Sequence, residues 1–257
     1  MELLAADSTA TKSNCASSCA VVELRQYTLY PGKRDTLISL FEREFVDPLE
    51  AAGMTVMGQF HDLDRPDRFV WMRGFRDMYR RAQGLAAFYG GPIWHAHRES
   101  ANETMLDSDN VLLLRPARAG GGITLPERRQ RTGGINALAR TRVVVTINPL
   151  ARPADARRIE FFDSELAPLL VHAGARLLGT YVTESSANNF PRLPLREGEH
   201  VFVWFASFAD DVAYERFRAR LDASPEWHEK LADWKRGLVG APEVLRLAPT
   251  ISSLING

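Results

Sequence analysis

Cysteine is nearly missing from this chain of 257 residues: Cys15 and Cys19 are the only two, and both fall in the first 19 positions. Two thiols at that spacing, with no third or fourth ligand nearby, make neither a disulfide framework nor a built zinc site. They read as reduced thiols in a flexible tail, and no metal is expected. Long apolar runs are missing too. Nothing approaches the roughly 20 residues of a membrane-spanning helix. The first residues, with Glu2 and Asp7, lack the basic and apolar regions of a secretory signal. A cytoplasmic protein away from the membrane is the expectation. Net charge is absent: 32 basic residues balance 32 acidic ones, which gives no footprint for nucleic acid. There is no phosphate-binding loop, no dinucleotide fingerprint and no nucleophile elbow. Gly120-Gly121-Gly122 precedes no strand–helix junction and reads as linker.

What the chain does have is itself, twice. Pro92-Ile93-Trp94-His95 returns as Pro225-Glu226-Trp227-His228 at an offset of 133. At that offset Phe69-Val70-Trp71 falls on Phe202-Val203-Trp204, and Val111, Leu112, Leu114 and Pro116 fall on Val244, Leu245, Leu247 and Pro249. Between 69 and 116, 13 of 48 positions are identical, against roughly three by chance, so one unit has been used two times. Upstream the offset drops to 121: Val22, Phe41, Gly53 and Gly58 fall on Val143, Phe162, Gly174 and Gly179. The second copy therefore carries an insertion between 181 and 201. The polar run Glu184 to Pro191 there reads as an extended loop.

Each copy spells the same elements. Val21 to Leu29 alternates as a strand does. Asp35 to Ala52 sets Leu37, Leu40, Phe41, Phe45 and Leu49 at helical spacing, and Gly53 fits its C-terminal cap. Met54 to His61 and Phe69 to Phe75 form a hairpin across a polar turn. Helices over 76–89 and from Pro92 to about Met105 follow, then a buried strand at Val111 to Leu114. The second copy predicts strands at 142–148, 175–183, 200–208 and 243–248, with helices at 154–172, 210–222 and 225–238. The order β-α-β-β-α-β is the ferredoxin-like plan. The domains expected are a disordered tail at 1–19, a first unit at 20–117, a linker at 118–139, a second unit at 140–249 and a tail at 250–257. A four-stranded sheet with helices on one face must cover the other. Here the two units supply each other's cover. An intramolecular, pseudo-dimeric α+β barrel follows, with a ligand cavity expected between the two sheets.

The run Glu23-Leu24-Arg25-Gln26-Tyr27-Thr28-Leu29-Tyr30-Pro31-Gly32 resembles the opening strand and turn of the NIPSNAP family. That family belongs to the dimeric α+β barrel superfamily. Trp94-His95-Ala96-His97-Arg98, with Asp107-Ser108-Asp109-Asn110 and the strand after it, is similar to the family's closing helix and strand. The likeness is close over 20–117 and loose over 140–249. The resemblance implies the fold more than an activity, since superfamily relatives include cofactor-free monooxygenases, cyclases, lactone isomerases and haem enzymes.

Candidate chemistry gathers in the first unit. Glu23, Arg25 and Tyr27 share one strand face. With the apolar Leu24 face assigned to the helices, these three point into the inter-sheet cavity. There Arg25 and Tyr27 would stabilise an oxyanion, with Glu23 orienting Arg25; the alternative is an ion pair at the barrel rim. Trp71 and its repeat Trp204 would shape the pocket, and Arg73, which becomes Ala206, is a ligand-binding candidate. His95 is a general-base candidate or a helix brace, as its repeat His228 suggests. His61 and Tyr89 are candidates for the cavity mouth. The second unit replaces Glu23, Arg25 and Tyr27 with Val144, Thr146 and Asn148, and so reads as a supporting half. The expected function is a cofactor-independent enzyme for a hydrophobic small molecule, possible in secondary metabolism, running proton abstraction beside a carbonyl. A non-catalytic binding or interaction protein is the alternative, and a haem protein the third. The chain, already a pseudo-dimer, could also form a homodimer.

Overall fold

The computed structural model describes residues 19–126 and 140–256. The tail expected before residue 19, and most of the linker, lie outside the described residues. The first unit runs β1 (Val21–Leu29), α1 (Arg34–Leu40), a π-helical turn (Phe41–Phe45), α2 (Val46–Ala51), β2 (Thr55–Asp62), β3 (Arg68–Phe75), α3 (Met78–Tyr89), α4 (Pro92–Asn102) and β4 (Met105–Pro116). The second repeats it: β5 (Arg142–Leu150), α5 (Ala156–Phe161), a π-helical turn (Phe162–Leu166), α6 (Ala167–Ala173), β6 (Arg176–Thr183), β7 (His200–Phe208), α7 (Asp211–Asp222), α8 (Pro225–Lys235) and β8 (Glu243–Pro249).

The repetition reaches details that periodicity cannot show. Both π turns fall at the offset of 121, each inside what the sequence predicts as one unbroken helix. Such turns are rare and tend to be kept at sites of function. Gly53 and Gly174 both take positive φ, +86° and +116°, at the end of that helical segment, where a side chain would be strained. Asp77 and Asp210 both cap the next helix, accepting from the backbone N–H three residues on. Register shifts sit at Gly58 in β2 and at Gly179 in β6.

The eight strands close into one barrel in the order β1-β3-β2-β8-β5-β7-β6-β4. Within a unit the pairings are long. Between units they are short: Phe60–Asp62 of β2 with Leu247–Pro249 of β8, and Leu114–Pro116 of β4 with Tyr181–Thr183 of β6. Each seam is then extended by chain that follows the unit. Thr250 N–H donates to Gln59 O and Leu254 N–H to Met57 O, while Ala117 N–H donates to Thr180 O and Thr180 N–H to Gly121 O. The C-terminal tail thus runs along β2, with Ile255 buried among the barrel's interior side chains, and the first residues of the linker run along β6.

The interior of the barrel is apolar and packed. Val22 and Leu24 of β1, Val70 and Met72 of β3, Val143, Val145 and Ile147 of β5, and Val203 and Phe205 of β7 meet in one cluster. Eight strands enclose a space just wide enough for such side chains to fill. This corrects two expectations. Among the described residues these apolar side chains occupy the space between the sheets where a ligand cavity is expected. The Leu24 face also points inward, so Glu23, Arg25 and Tyr27 point outward under the helices. The alternation was misassigned because both faces of β1 and β3 are buried: every residue of β3 is inaccessible, and all of β1 except Thr28.

Candidate functional site

The space between sheet and helices is therefore where the two units must be compared. In the first unit it holds charge. Glu23 is fully buried and receives three guanidinium groups. Its Oε2 accepts from Arg25 Nη1 at 2.6 Å and Arg73 Nε at 2.7 Å, and its Oε1 accepts from Arg81 Nε at 2.8 Å. Arg25, Arg73 and Arg81 are themselves 1%, 0% and 0% exposed. Arg25 Nε donates to Tyr27 Oη at 2.9 Å, and Arg73 Nη1 reaches Tyr89 Oη at a long 3.4 Å. Trp71 packs edge-on against Tyr27 and Phe41, with Arg73 and Arg25 guanidinium carbons 5.1 and 5.6 Å from its ring centre.

Electrostatics follow from burial. Burial alone would raise the Glu23 carboxyl, but Arg73, Arg25 and Arg81 outweigh it and hold the group well below the usual carboxylate range. The Tyr27 phenol is pushed up, chiefly by burial, with Arg25 opposing. Burial lowers Arg81 from the ordinary guanidinium value. Glu23 is thus a stable carboxylate and a poor base.

The candidates Glu23, Arg25, Tyr27, Trp71, Arg73 and Tyr89 are brought together, though on the helix side of the sheet. His95 and His61 are not among them. His95 is exposed on α4. His61 is half-buried on β2, with Nε2 3.3 Å from Asp35 Oδ1, and burial followed by the charge of Arg34 lowers its pKa. His228, the repeat of His95, braces its helix: its Nε2 lies 2.9 Å from the Asp222 carbonyl. Two groups of residues escaped the sequence reading. Arg81 did so because an arginine next to Arg80 on a helix looks solvent-facing. Asn188 and Asn189 lie in the insertion of the other unit, and both side-chain oxygens accept from Arg81 Nη1, at 3.1 and 2.7 Å. That loop also sets Phe190 against Tyr89 and packs Leu193 and Leu195 on the first unit's core.

In the second unit the same space is an apolar pocket of about 330 Å³. Strand register proves the equivalence: Glu23 pairs with Arg73 and Arg25 with Trp71, as Val144 pairs with Ala206 and Thr146 with Trp204. Its walls include Phe162, Leu231 and three of the chain's five tryptophans, Trp204, Trp227 and Trp234. Trp234 Nε1 donates to Asn148 Oδ1 at 3.0 Å, and Asn148 Nδ2 donates to Phe202 O, so that amide is spent. Thr146 and Tyr214 are hydroxyl groups at its wall, and Lys235 lies at its edge. Burial pushes the Tyr214 phenol up. The candidate Trp204 belongs to this pocket and not to the charged cluster.

An antiparallel barrel of eight strands made from two βαββαβ units, helices outside, is an α+β barrel protein. The NIPSNAP family model matches residues 22–119, the span of the first unit. Solved structures share the whole barrel. A candidate monooxygenase from Lactobacillus acidophilus NCFM is 17% identical, with 89% of this chain and 93% of that one covered and a TM-score of 0.53. Another from Fusobacterium nucleatum is 10% identical, covering 93% and 96% with a TM-score of 0.56. An anthrone oxidase-like protein is 14% identical, covering 91% and 93% with a TM-score of 0.56. At these identities the likeness is one of fold. No curated protein matches the chain. Among the described residues no helix is long and apolar enough to cross a membrane.

Proposed function

We propose that this protein binds a neutral, hydrophobic, ring-bearing small molecule in the second unit, between β5, β7 and the helices over them. The observation that carries the reading is the 330 Å³ pocket walled by Trp204, Trp227 and Trp234. It is concave, predominantly apolar and of ligand size, and aromatic walls favour flat rings. Titrating polycyclic aromatic compounds against tryptophan fluorescence tests it. Saturable quenching is expected, and Leu231→Trp, which fills the pocket from its wall, should abolish it without unfolding the chain. Quenching that survives Leu231→Trp unchanged defeats the reading.

A second reading, conversion of the bound molecule without a cofactor, draws on Tyr214, a buried tyrosine among the residues that line the pocket, whose phenol is pushed up by burial. A phenol held protonated can donate to a developing oxyanion. Tyr214→Phe should then remove turnover and keep binding. The Arg25–Tyr27 pair is a weaker place for proton abstraction, because Glu23 is tied by three guanidiniums and neither His61 nor His95 reaches it. Among the described residues no histidine lines the second-unit pocket, so its residues do not fit a haem held by an axial imidazole.

A further inference from the structure

The charged cluster of the first unit does not balance. Three guanidinium groups, from Arg25, Arg73 and Arg81, surround one carboxylate, and all four side chains are inaccessible to solvent. Uncompensated charge in such surroundings is among the costliest things a fold can hold. The hydrogen bonds do not balance either. Arg73 Nη2 and Arg81 Nη2 lie within ion-pair distance of Glu23 yet out of line with it, and they have no aligned acceptor among the described residues. The indole N–H of Trp71, beside Arg73, likewise has none. Buried donors of this strength are normally satisfied. Tyr27 is poorly placed to supply the missing charge as a phenolate, since burial pushes its pKa up.

The second unit shows that these residues act as a set. Glu23, Arg25, Arg73 and Arg81 correspond to Val144, Thr146, Ala206 and Tyr214, so no charge survives where the set has been dismantled. Trp71 survives as Trp204. A lone structural ion pair would not need three arginines, and one anion would.

We infer that the first unit holds a small oxyanion, a carboxylate or a tetrahedral inorganic ion, on the Nη2 groups of Arg73 and Arg81, which have no aligned acceptor, beside Trp71. Both guanidiniums touch the same Glu23 carboxylate, one on each oxygen, so one small anion can bridge them. The insertion at 184–199 closes the site: Asn188 and Asn189 cap Arg81, Asn189 Nδ2 donates to Met78 O at 2.6 Å, and Phe190 covers Tyr89. Because that loop belongs to the second unit, the anion locks the two units together. This site is separate from the apolar pocket and does not rest on it.

Thermal unfolding of the full chain tests this, with sodium formate, sulfate or phosphate titrated at constant ionic strength. The expected result is a saturable rise in Tm of about 5 °C or more for the anion whose shape fits, and formate against sulfate decides between planar and tetrahedral. Sulfate and phosphate stabilise proteins in general, so the increment is read against Arg81→Tyr, which copies the second unit and should lose it. If Arg81→Tyr does not fold, Trp71→Phe keeps the ring and should weaken the response. Ion chromatography of desalted, then unfolded, wild-type protein should also release one anion per chain. Equal responses in wild type and variant, with no anion released, overturn the proposal. So does a phenolate band in the ultraviolet spectrum at neutral pH that Tyr27→Phe removes, since the missing charge would then be the protein's own.

Discussion

The two units share a backbone down to the π turn, and between sheet and helices they hold opposite things. The first is filled with one carboxylate, three guanidiniums and packed aromatic rings. The second has the tryptophan of β3 as Trp204 but none of those four charged side chains, and holds a pocket. Their covers differ to match. The second unit's long loop, 184–199, crosses to seal the first. The first unit's turn at 63–67 is short; across the seam Asp64 pairs with Arg246, whose carbonyl accepts from Leu63 N–H. The two copies now differ: one half is sealed and polar, and the other is apolar and accessible. What fills the sheet–helix layer, and not the barrel, sets the character of each half.

The sharpest way to break this contrast is Glu23→Gln. It leaves three buried guanidiniums facing a neutral amide, and a loss of about 3–5 kcal/mol is expected in chemical denaturation. A cost below about 1 kcal/mol would mean the cluster is already neutralised by something other than Glu23. The same residue gives a pH signature. Its folded pKa is depressed, so its stabilisation is fully present above the unfolded carboxylate range, about pH 4.3, and is lost as pH falls through the lower folded value. Stability of the wild type should therefore drop steeply below about pH 4, and Glu23→Gln should flatten that limb. An unchanged acid limb in the variant would remove Glu23 from the account.

Next comes the shared tryptophan. Trp71 is buried against Tyr27 and Phe41, and Trp71→Ala should cost about 3–5 kcal/mol. Trp204 is half-buried at a pocket wall, so Trp204→Ala should cost about 1–2 kcal/mol and chiefly weaken ligand quenching. Equal costs would show the second unit to be as tightly filled as the first.

The limits of reading this fold from sequence lie in the same contrast. The repeat, the element order and the barrel closure were legible, because Pro92-Trp94-His95, Trp71 and the valine–leucine strands recur at fixed offsets. The charged set was legible as a set on one strand face. Which way it pointed was not. Alternation assigns a face only when one side is wet, and β1 and β3 are dry on both. Trp71 and Phe69 cover the helix side as completely as Val70 and Met72 fill the barrel. Arg81 was hidden because its burial depends on a loop from the other unit, and the pocket was hidden because it arises from side chains that are missing.

The smallest expected effect concerns that loop. Phe190 lies with its ring centre 6.0 Å from that of Tyr89 and is partly exposed, so Phe190→Ala should cost about 1 kcal/mol. Its value lies in where the loss appears. If the insertion seals only the first unit, hydrogen exchange should speed up in α3, where Asn189 holds Met78 O and Asn188 and Asn189 hold Arg81. Exchange in α7, the equivalent helix over the pocket, should stay as it was. Faster exchange in both helices would show the loop to be a brace for the whole barrel. The asymmetry of the two covers would then be one of length alone.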